Sequence, residues 1–302
     1  MKAFIGVALF SLLLSSNELP AQSAFWKSPN AYLGEKQPGD TPVIFAPGRL
    51  AVKGYWVGSR VAFTNDGKQF LYGTNTNWFD GKNQKLKYFL FDGKSWKGPY
   101  LLHTGYSSPT FSIDGKTLYI LGRNGMIDQS HYSDTGWVQP TEFLNRSYTL
   151  YNFMPTESGR YYVGSNGTWG NRSDFNSWRF SVLTGVGSDT SIQSLGSPLN
   201  SSGFNGDFYI APDESYMIIS TKESSTFESE LYISFRKPDQ LWTVPISLGP
   251  LINNGLAHRW GAYVSPDHKF LFFTKGTSEK DCTIYWVRFD HLLEKLREQS
   301  LN

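Results

Sequence analysis

Ala62-Phe63-Thr64-Asn65-Asp66-Gly67-Lys68 decides the fold, because the chain repeats it. Thr110-Phe111-Ser112-Ile113-Asp114-Gly115-Lys116, Tyr209-Ile210-Ala211-Pro212-Asp213-Glu214-Ser215 and Tyr263-Val264-Ser265-Pro266-Asp267-His268-Lys269 share its form, and a degenerate copy, Met154-Pro155-Thr156-Glu157-Ser158-Gly159-Arg160, fills the one long gap. Counted through the acids at 66, 114, 157, 213 and 267, the steps are 48, 43, 56 and 54 residues. That is the period of a propeller blade and exceeds most solenoid repeats.

Each copy reads as a hairpin. Gly tolerates positive φ, and Asp bonds its own backbone, so the chain reverses there and returns as a strand. Return strands are expected at Gln69 to Gly73, Thr117 to Leu121, Arg160 to Val163, Tyr216 to Ser220 and Phe270 to Thr274. Third strands follow at Lys87 to Phe91, Glu230 to Phe235 and Thr283 to Val287. A fourth starts with Trp and carries a Pro, over Trp96 to Leu102, Trp137 to Leu144 and Trp242 to Leu248. Proline is tolerated on an edge strand, which is the outermost position of a blade.

The last unit runs out of strands. After Ile284 to Phe289 the chain becomes helical over Leu292 to Gln299, so a fourth strand has to come from elsewhere. Thr41 to Ala51 has the apolar, Pro-bearing character of the other outer strands and is expected to close the ring against the last blade. The expected fold is therefore all-β: one propeller of five four-stranded blades, with a short C-terminal helix. Six blades is the alternative, if residues 26 to 60 form a partial blade.

Aromatic residues make up 16 % of the chain, which suits strands around a large core. A net charge of +2 from interspersed charges gives no basic block and no reason to expect nucleic acid. Residues 1–23 read as a secretory signal: Lys2, an apolar run from Ala3 to Leu14, and small residues around Ala21-Gln22-Ser23. The rival reading is an uncleaved anchor. The run is short of the roughly 20 residues that span a bilayer, so residues 24–302 are expected as a periplasmic or secreted monomer without stable membrane insertion. Cys282 stands alone and reads as a small buried hydrophobe, so no internal disulfide is available. The sequons at Asn145, Asn166, Asn171 and Asn200 carry no weight in a chain so rich in Asn and Ser. No metal spacing, phosphate loop or nucleophile elbow is present, and no cofactor is expected.

The chain resembles the TolB-type, WD-like β-propeller repeat proteins, in particular a widespread group of exported bacterial members. The residues that carry the resemblance are Tyr32-Leu33-Gly34, Thr41 to Gly48, Ile210 to Tyr216, Leu231 to Arg236, Leu248 to Asn253, Val264 to Asp267 and Ile284 to Val287. Tyr151 to Gly196 keeps the blade spacing without the turn signature. The resemblance implies a propeller and brings no agreed activity or catalytic residues.

A site is therefore sought where propellers bind ligands, at the channel mouth lined by the first strand of each blade. Six residues before the turn acids stand Arg60, Ser108, Asp207 and Gly261. The expected mouth carries Arg60 and Asp207, with Trp56, Asn152 and Trp260 as ligand-binding partners, and Tyr55, Tyr106, Tyr151, Asn205, His258 and Arg259 around them. Polar groups beside aromatic faces suit a sugar or a partner protein. Arg60 and Asp207 could equally pair with each other. The expected function is a non-enzymatic propeller that binds a glycan or a protein. The alternative is a carbohydrate-active enzyme, most plausibly a lyase, with His258 as base, Arg259 as cation and Tyr151 assisting. The fold of propeller-type oligogalacturonate lyases is similar, but the His cluster expected of them is missing.

Overall fold

The computed structural model describes residues 24–51, 53–76, 83–122, 125–134, 136–144, 150–165, 177–184, 191–201, 205–221, 228–278 and 281–301. The expected signal segment and the sequons at Asn145, Asn166 and Asn171 lie outside them. Blade 1 is β2 (Trp56–Phe63), β3 (Gln69–Asn75), β4 (Lys85–Phe91) and β5 (Trp96–Thr104). Blade 2 is β6 (Ser107–Phe111), β7 (Thr117–Leu121), β8 (Ile127–Ser133) and β10 (Thr141–Leu144), with the short β9 (Gly136–Trp137) also on β8. Blade 3 is β11 (Leu150–Pro155), β12 (Tyr161–Ser165), β13 (Arg179–Thr184) and β14 (Ser191–Ser194). Blade 4 is β15 (Phe208–Ile210), β16 (Tyr216–Thr221), β17 (Glu230–Phe235) and β18 (Ile246–Ser247). Blade 5 is β19 (His258–Val264), β20 (Phe270–Gly276), β21 (Thr283–Arg288) and the N-terminal β1 (Val43–Ile44). Helix α1 (Asp290–Leu301) follows. Five blades close the ring, and residues 26–60 form no sixth.

The turn frame explains which residues the repeats share. In every blade one backbone N–H donates back across the turn, from Gly67 to Thr64, Gly115 to Ser112, Gly159 to Thr156, Glu214 to Ala211 and His268 to Ser265. All five donors are left-handed, with φ of 76°, 72°, 80°, 60° and 61°. Glu214 and His268 hold this conformation without glycine's freedom. In this frame the residue matching Asp66 in blade 3 is Ser158, not Glu157, so the sequence count through Glu157 is one residue off.

Blade 3 consequently lacks a turn carboxylate, and Glu214 of blade 4 supplies it. Thr64, Ser112 and Ser265 each donate a hydroxyl to their own turn Asp at 2.6, 2.5 and 2.7 Å. Thr156 donates instead to Glu214 at 2.8 Å, joined by Ser158, by Tyr162 at 2.9 Å and by Arg236. Arg160 completes the cluster at 3.4 Å. Burial pushes the Glu214 carboxyl up, but the hydroxyls of Ser158, Thr156 and Tyr162 and the Arg160 charge outweigh it and hold it below the usual range.

Ring closure rests less on β1 than on the aromatic residues around it. β1 pairs Val43 with Trp286 and Ile44 with Tyr285, yet both of its side chains are 43 % exposed. Phe45, 1 % exposed, sits 5.1 Å from each of Phe70, Phe272 and Trp286, bridging blades 1 and 5. Trp26 packs on Tyr32 and Phe63 and donates its indole N–H to the Asn65 carbonyl at 3.0 Å. Trp96 reaches the Asn30 carbonyl at 2.7 Å. Behind blade 4, α1 buries Leu296 in the core shared with blades 3 to 5.

Phe45→Ala is expected to cost about 3–5 kcal/mol in denaturant unfolding, the range for a buried Phe. Ile44→Ala, on the same closing strand, should cost much less, because its side chain is already partly in water. Glu214 has a depressed folded pKa, so its stabilisation is complete above the ordinary glutamate pKa of about 4.3 and is lost as pH falls through the lower folded value. Melts from pH 6 to pH 3 should show that loss in the wild type and a flatter profile in Glu214→Gln.

Candidate functional site

The inner strands β2, β6, β11, β15 and β19 contact one another in turn around the axis. Their turns gather on one face, where Asn65 donates to the Ile113 carbonyl at 3.2 Å and Glu157 N–H to the Pro212 carbonyl at 2.8 Å. The opposite ends, at Trp56, Ser107, Leu150 and His258, form the other mouth. Halfway along, four inner strands bulge, and Ser59, Ser108, Asn152 and Gly261 take left-handed φ of 74°, 48°, 56° and 64°. In blade 4 the strand starts later, and Asp207 occupies this level.

The ring of equivalent positions is thus Ser59, Ser108, Asn152, Asp207 and Gly261. Counting back six residues puts Arg60 in place of Ser59, because β2 carries an extra bulged residue. Gly58 pairs with Gly73 and Ala62 with Leu71, so three residues of β2 face Tyr72 alone. In β6 only two residues, Ser108 and Pro109, face Ile120. Ser59 and Ser108 share a hydrogen bond of 2.6 Å across blades 1 and 2. Gly261 has no alternative at its position, since a Cβ there would lie 2.7 Å from the Ser59 carbonyl carbon.

Arg60 leaves this ring and turns into the axis, where it is 0 % exposed. It donates to Thr110 Oγ1 and to the Phe208 carbonyl, both at 2.9 Å, and its guanidinium lies 3.6 Å from Asp207. Asn152 donates to the same Phe208 carbonyl at 2.9 Å. Asp207 accepts from Gly261 N–H at 2.7 Å and from Phe208 N–H at 2.9 Å. Burial pushes the Asp207 carboxyl up, opposed by Arg60, the Gly261 and Phe208 N–H groups and His258. Four of the sequence-selected residues therefore meet: Arg60, Asp207 and Asn152 at the axis, with His258 close enough to act on Asp207.

Trp56, His258 and Trp260 meet above them. The rings of His258 and Trp260 lie 4.3 Å apart and tilted by 30°, and the Trp56 indole meets Trp260 edge-on at 6.0 Å. Trp56 lies flat over Gly58, where a Cβ would come within 2.6 Å of its ring. His258 Nδ1 is 3.1 Å from the Ser229 hydroxyl. On the blade 2 side, Tyr106 donates to Asp128 at 2.6 Å, and its hydroxyl is pushed up to about 12 by burial and that carboxylate.

Arg259 and Tyr151 serve the walls of the site. Arg259 is 1 % exposed, and its five N–H groups go to five carbonyls: Nε to Ile252, Nη1 to Ser229 and Ala257, and Nη2 to Asn254 and Gly255. A guanidinium has five donors, so this set is full. Arg259 anchors the loop ahead of β19. The Tyr151 hydroxyl lies 2.5 and 2.6 Å from the carbonyls of Asn205 and Gly206, and its ring covers Gly164 and meets Trp178 at 4.5 Å. Asn205 braces the same wall by donating to the Trp178 carbonyl at 2.8 Å. Tyr55 carries Lys85 Nζ over its ring at 4.7 Å.

Two residues that matter here escaped sequence reasoning. Ser59 is hidden by the bulge, which no composition signal marks. Asn75 pairs with Trp56 across β2 and β3, and its amide nitrogen has no partner within the protein. Among the described residues, no group of three His, Cys, Asp or Glu is placed to hold a metal ion.

No protein-family model and no curated protein matches the chain. Among solved structures the chain is similar to TolB from Acinetobacter baumannii, at 15 % identity and a TM-score of 0.44, covering 75 % of this chain and 53 % of that one. It is also similar to the β-propeller domain of Cps50 (Swd1) from Myceliophteria thermophila, at 8 % identity and a TM-score of 0.40, covering 73 % and 67 %. The chain spans about half the length of the TolB structure. These likenesses concern the fold and bring no partner or activity with them. The propeller itself is established by the five sheets, four of them four-stranded and one carrying the extra short strand β9.

Proposed function

We propose that this protein is an exported, non-enzymatic propeller that binds a glycan or a protein partner at the mouth formed by Trp56, His258 and Trp260. The observation that carries this reading is the division of labour between axis and mouth. At the axis Arg60 is fully buried with both terminal nitrogens on protein acceptors, and Arg259 spends every donor on its own loop. At the mouth, aromatic faces stand beside a carboxylate whose side chain is 16 % exposed. Aromatic surface with a few fixed polar groups is a binding surface. A lyase would need a cation facing substrate and a mobile proton carrier, and Arg259 and the Tyr151 hydroxyl are both engaged in holding backbone. Export rests on the N-terminal sequence, and no helix among the described residues is long and apolar enough to cross a membrane.

Thermal-shift screening with oligosaccharides and peptides should yield a ligand whose stabilisation is lost in Trp260→Ala. A ligand at 100 times its dissociation constant adds about 2.7 kcal/mol, so the shift is measurable. His258→Ala should weaken binding without abolishing it, and unsaturated uronide products from the wild type would overturn the non-enzymatic reading. For the axis, Asp207→Ala should cost about 3–5 kcal/mol by stranding Arg60 without its counter-charge. The double variant Arg60→Met/Asp207→Asn should cost less than the sum of its single changes, as groups in one network do. Additive costs in chemical denaturation would show that the pair is not coupled.

A further inference from the structure

The outer edge of blade 4 carries a second surface, toward the turn face and away from the mouth. We propose that it is a self-complementary docking face through which two copies of this chain pair about a twofold axis, rather than the monomer that the sequence suggests. The surface lies between the segment that follows β17 and the last turn of α1. Trp242, Val244 and Ile246 on one side and Gln299 and Ser300 on the other line a cavity of about 390 Å³ there. Backbone pairing is not the means of docking, because β18 has only two residues and Pro245 ahead of it has no N–H to offer a neighbouring strand. A partner at this edge meets side chains.

Those side chains supply both halves of a fit. Val244 is 72 % exposed, Leu241 60 %, and Leu301, at the end of α1, 47 %. Val244 lines the cavity, Leu241 precedes Trp242 and Leu301 follows Ser300, so protruding aliphatic groups and the hole share one surface. An isologous interface requires this, since each residue of the patch meets the same patch turned about the axis. Exposed apolar groups gathered around a cavity mark a contact surface.

The surface is also fixed in advance. The Arg236 guanidinium stands over the Trp242 ring at 5.6 Å and is itself held by Glu214. Ser300 donates its hydroxyl to Thr243 Oγ1 at 2.9 Å, and Thr243 N–H goes to the Phe235 carbonyl at 2.9 Å, so the end of α1 and the edge segment form one body. Little freedom is lost when such a surface is covered.

Charge points to a second copy as the occupant. Asp239 takes the Leu241 N–H at 3.0 Å on one oxygen and stands 3.4 Å from Lys237 Nζ with the other. Both side chains keep contact with water, at 39 % for Lys237 and 55 % for Asp239, and each can reach the opposite charge of another copy. On α1, Arg297 lies over the Phe235 ring at 5.6 Å with the exposed Glu298 next to it, again one charge of each sign. A patch that carries a lysine and a carboxylate side by side is complementary to its own copy, whereas a partner surface of a single sign would meet a like charge. Pairing at this edge leaves Trp56, His258 and Trp260 open in both copies, whatever the mouth binds.

Sedimentation velocity on the chain from residue 24 onward, which contains every described residue, tests the pairing over about 1 to about 200 µM, because the dimer fraction follows concentration. The wild type should be dimeric at the upper end of that range. Val244→Asp and Lys237→Glu should each weaken pairing at least tenfold, with melts like that of the wild type because both side chains already face water, and Lys237→Arg should keep it within a fewfold. Leu101→Asp changes an aliphatic side chain that is 57 % exposed on the edge of blade 1, and should leave the dimer intact. Trp260→Ala should leave it intact too, so that pairing and binding at the mouth are read separately. A wild type that stays monomeric throughout, or a dimer that survives both Val244→Asp and Lys237→Glu, would overturn the proposal. Dissociation by Leu101→Asp but not by Val244→Asp would overturn it as well, by moving the interface to blade 1.

Discussion

The aromatic seam between blades 1 and 5 is the constraint on which the rest of the molecule depends. A propeller is held by the packing of each blade on the next, and that packing fails if the circle can open at its one covalent gap. Two residues of β1 with half-exposed side chains cannot hold the gap alone. Phe45 and Tyr32, which each meet rings of both blades, therefore work as a wedge, with Trp26 holding Tyr32 against blade 1. Aromatic residues suit this place, since each buries a large area and edge-to-face contacts add about 0.5–1.5 kcal/mol per pair. With the circle fixed, the five inner strands have a fixed spacing, and only then do Asp207, Gly261 and Arg60 meet across three blades.

The architecture was legible because turns announce themselves locally. Asp66 and Gly67 are enough to read a hairpin, and four such turns give the period, the strand order and the need for a closing strand. β1 lies within the segment expected for it, and α1 covers the expected Leu292 to Gln299 and extends two residues further at each end. The site was legible only in part. Counting back from the turns reaches Ser108, Asp207 and Gly261, with Trp56, Asn152 and Trp260 placed around them, but it assigns Arg60 the place of Ser59, because a bulge adds a residue without changing the alternation around it. Arg259 looked like a cation for a ligand, since a sequence cannot show that a side chain will fold back on five carbonyls. Glu157 was read as the turn acid for a related reason. The carboxylate that serves that turn, Glu214, lies in the next blade, and nothing near residue 157 points to it.

The polar groups of this propeller divide by depth. Charged groups near the axis and under the turns, Arg60, Arg259 and Glu214, bind backbone or other side chains and act as joints. A buried charge is tolerated when it is paired, and here the partners are mostly carbonyls and hydroxyls fixed by the strands, with Asp207 as the counter-charge of Arg60. Toward the mouth, among the described residues, the Asp207 carboxylate stands beside neutral polar atoms of Trp56, Asn75 and Asn152 that have no partner within the protein. The joints keep the blades rigid, and a rigid frame is what holds a shallow aromatic site in register.

Closure by the N-terminal strand also sets an order of events during synthesis. Val43 leaves the ribosome early, and its partner Trp286 appears only after blades 1 to 4 have been made. Until then the wedge of Trp26, Tyr32 and Phe45 has half of its socket, and β21 has no outer neighbour. Long-range pairings of this kind are slow to form and leave apolar surface uncovered in the interval. The nascent protein is therefore an open arc with two adhesive ends, and its vulnerability to aggregation is concentrated in the time between the first blade and the last.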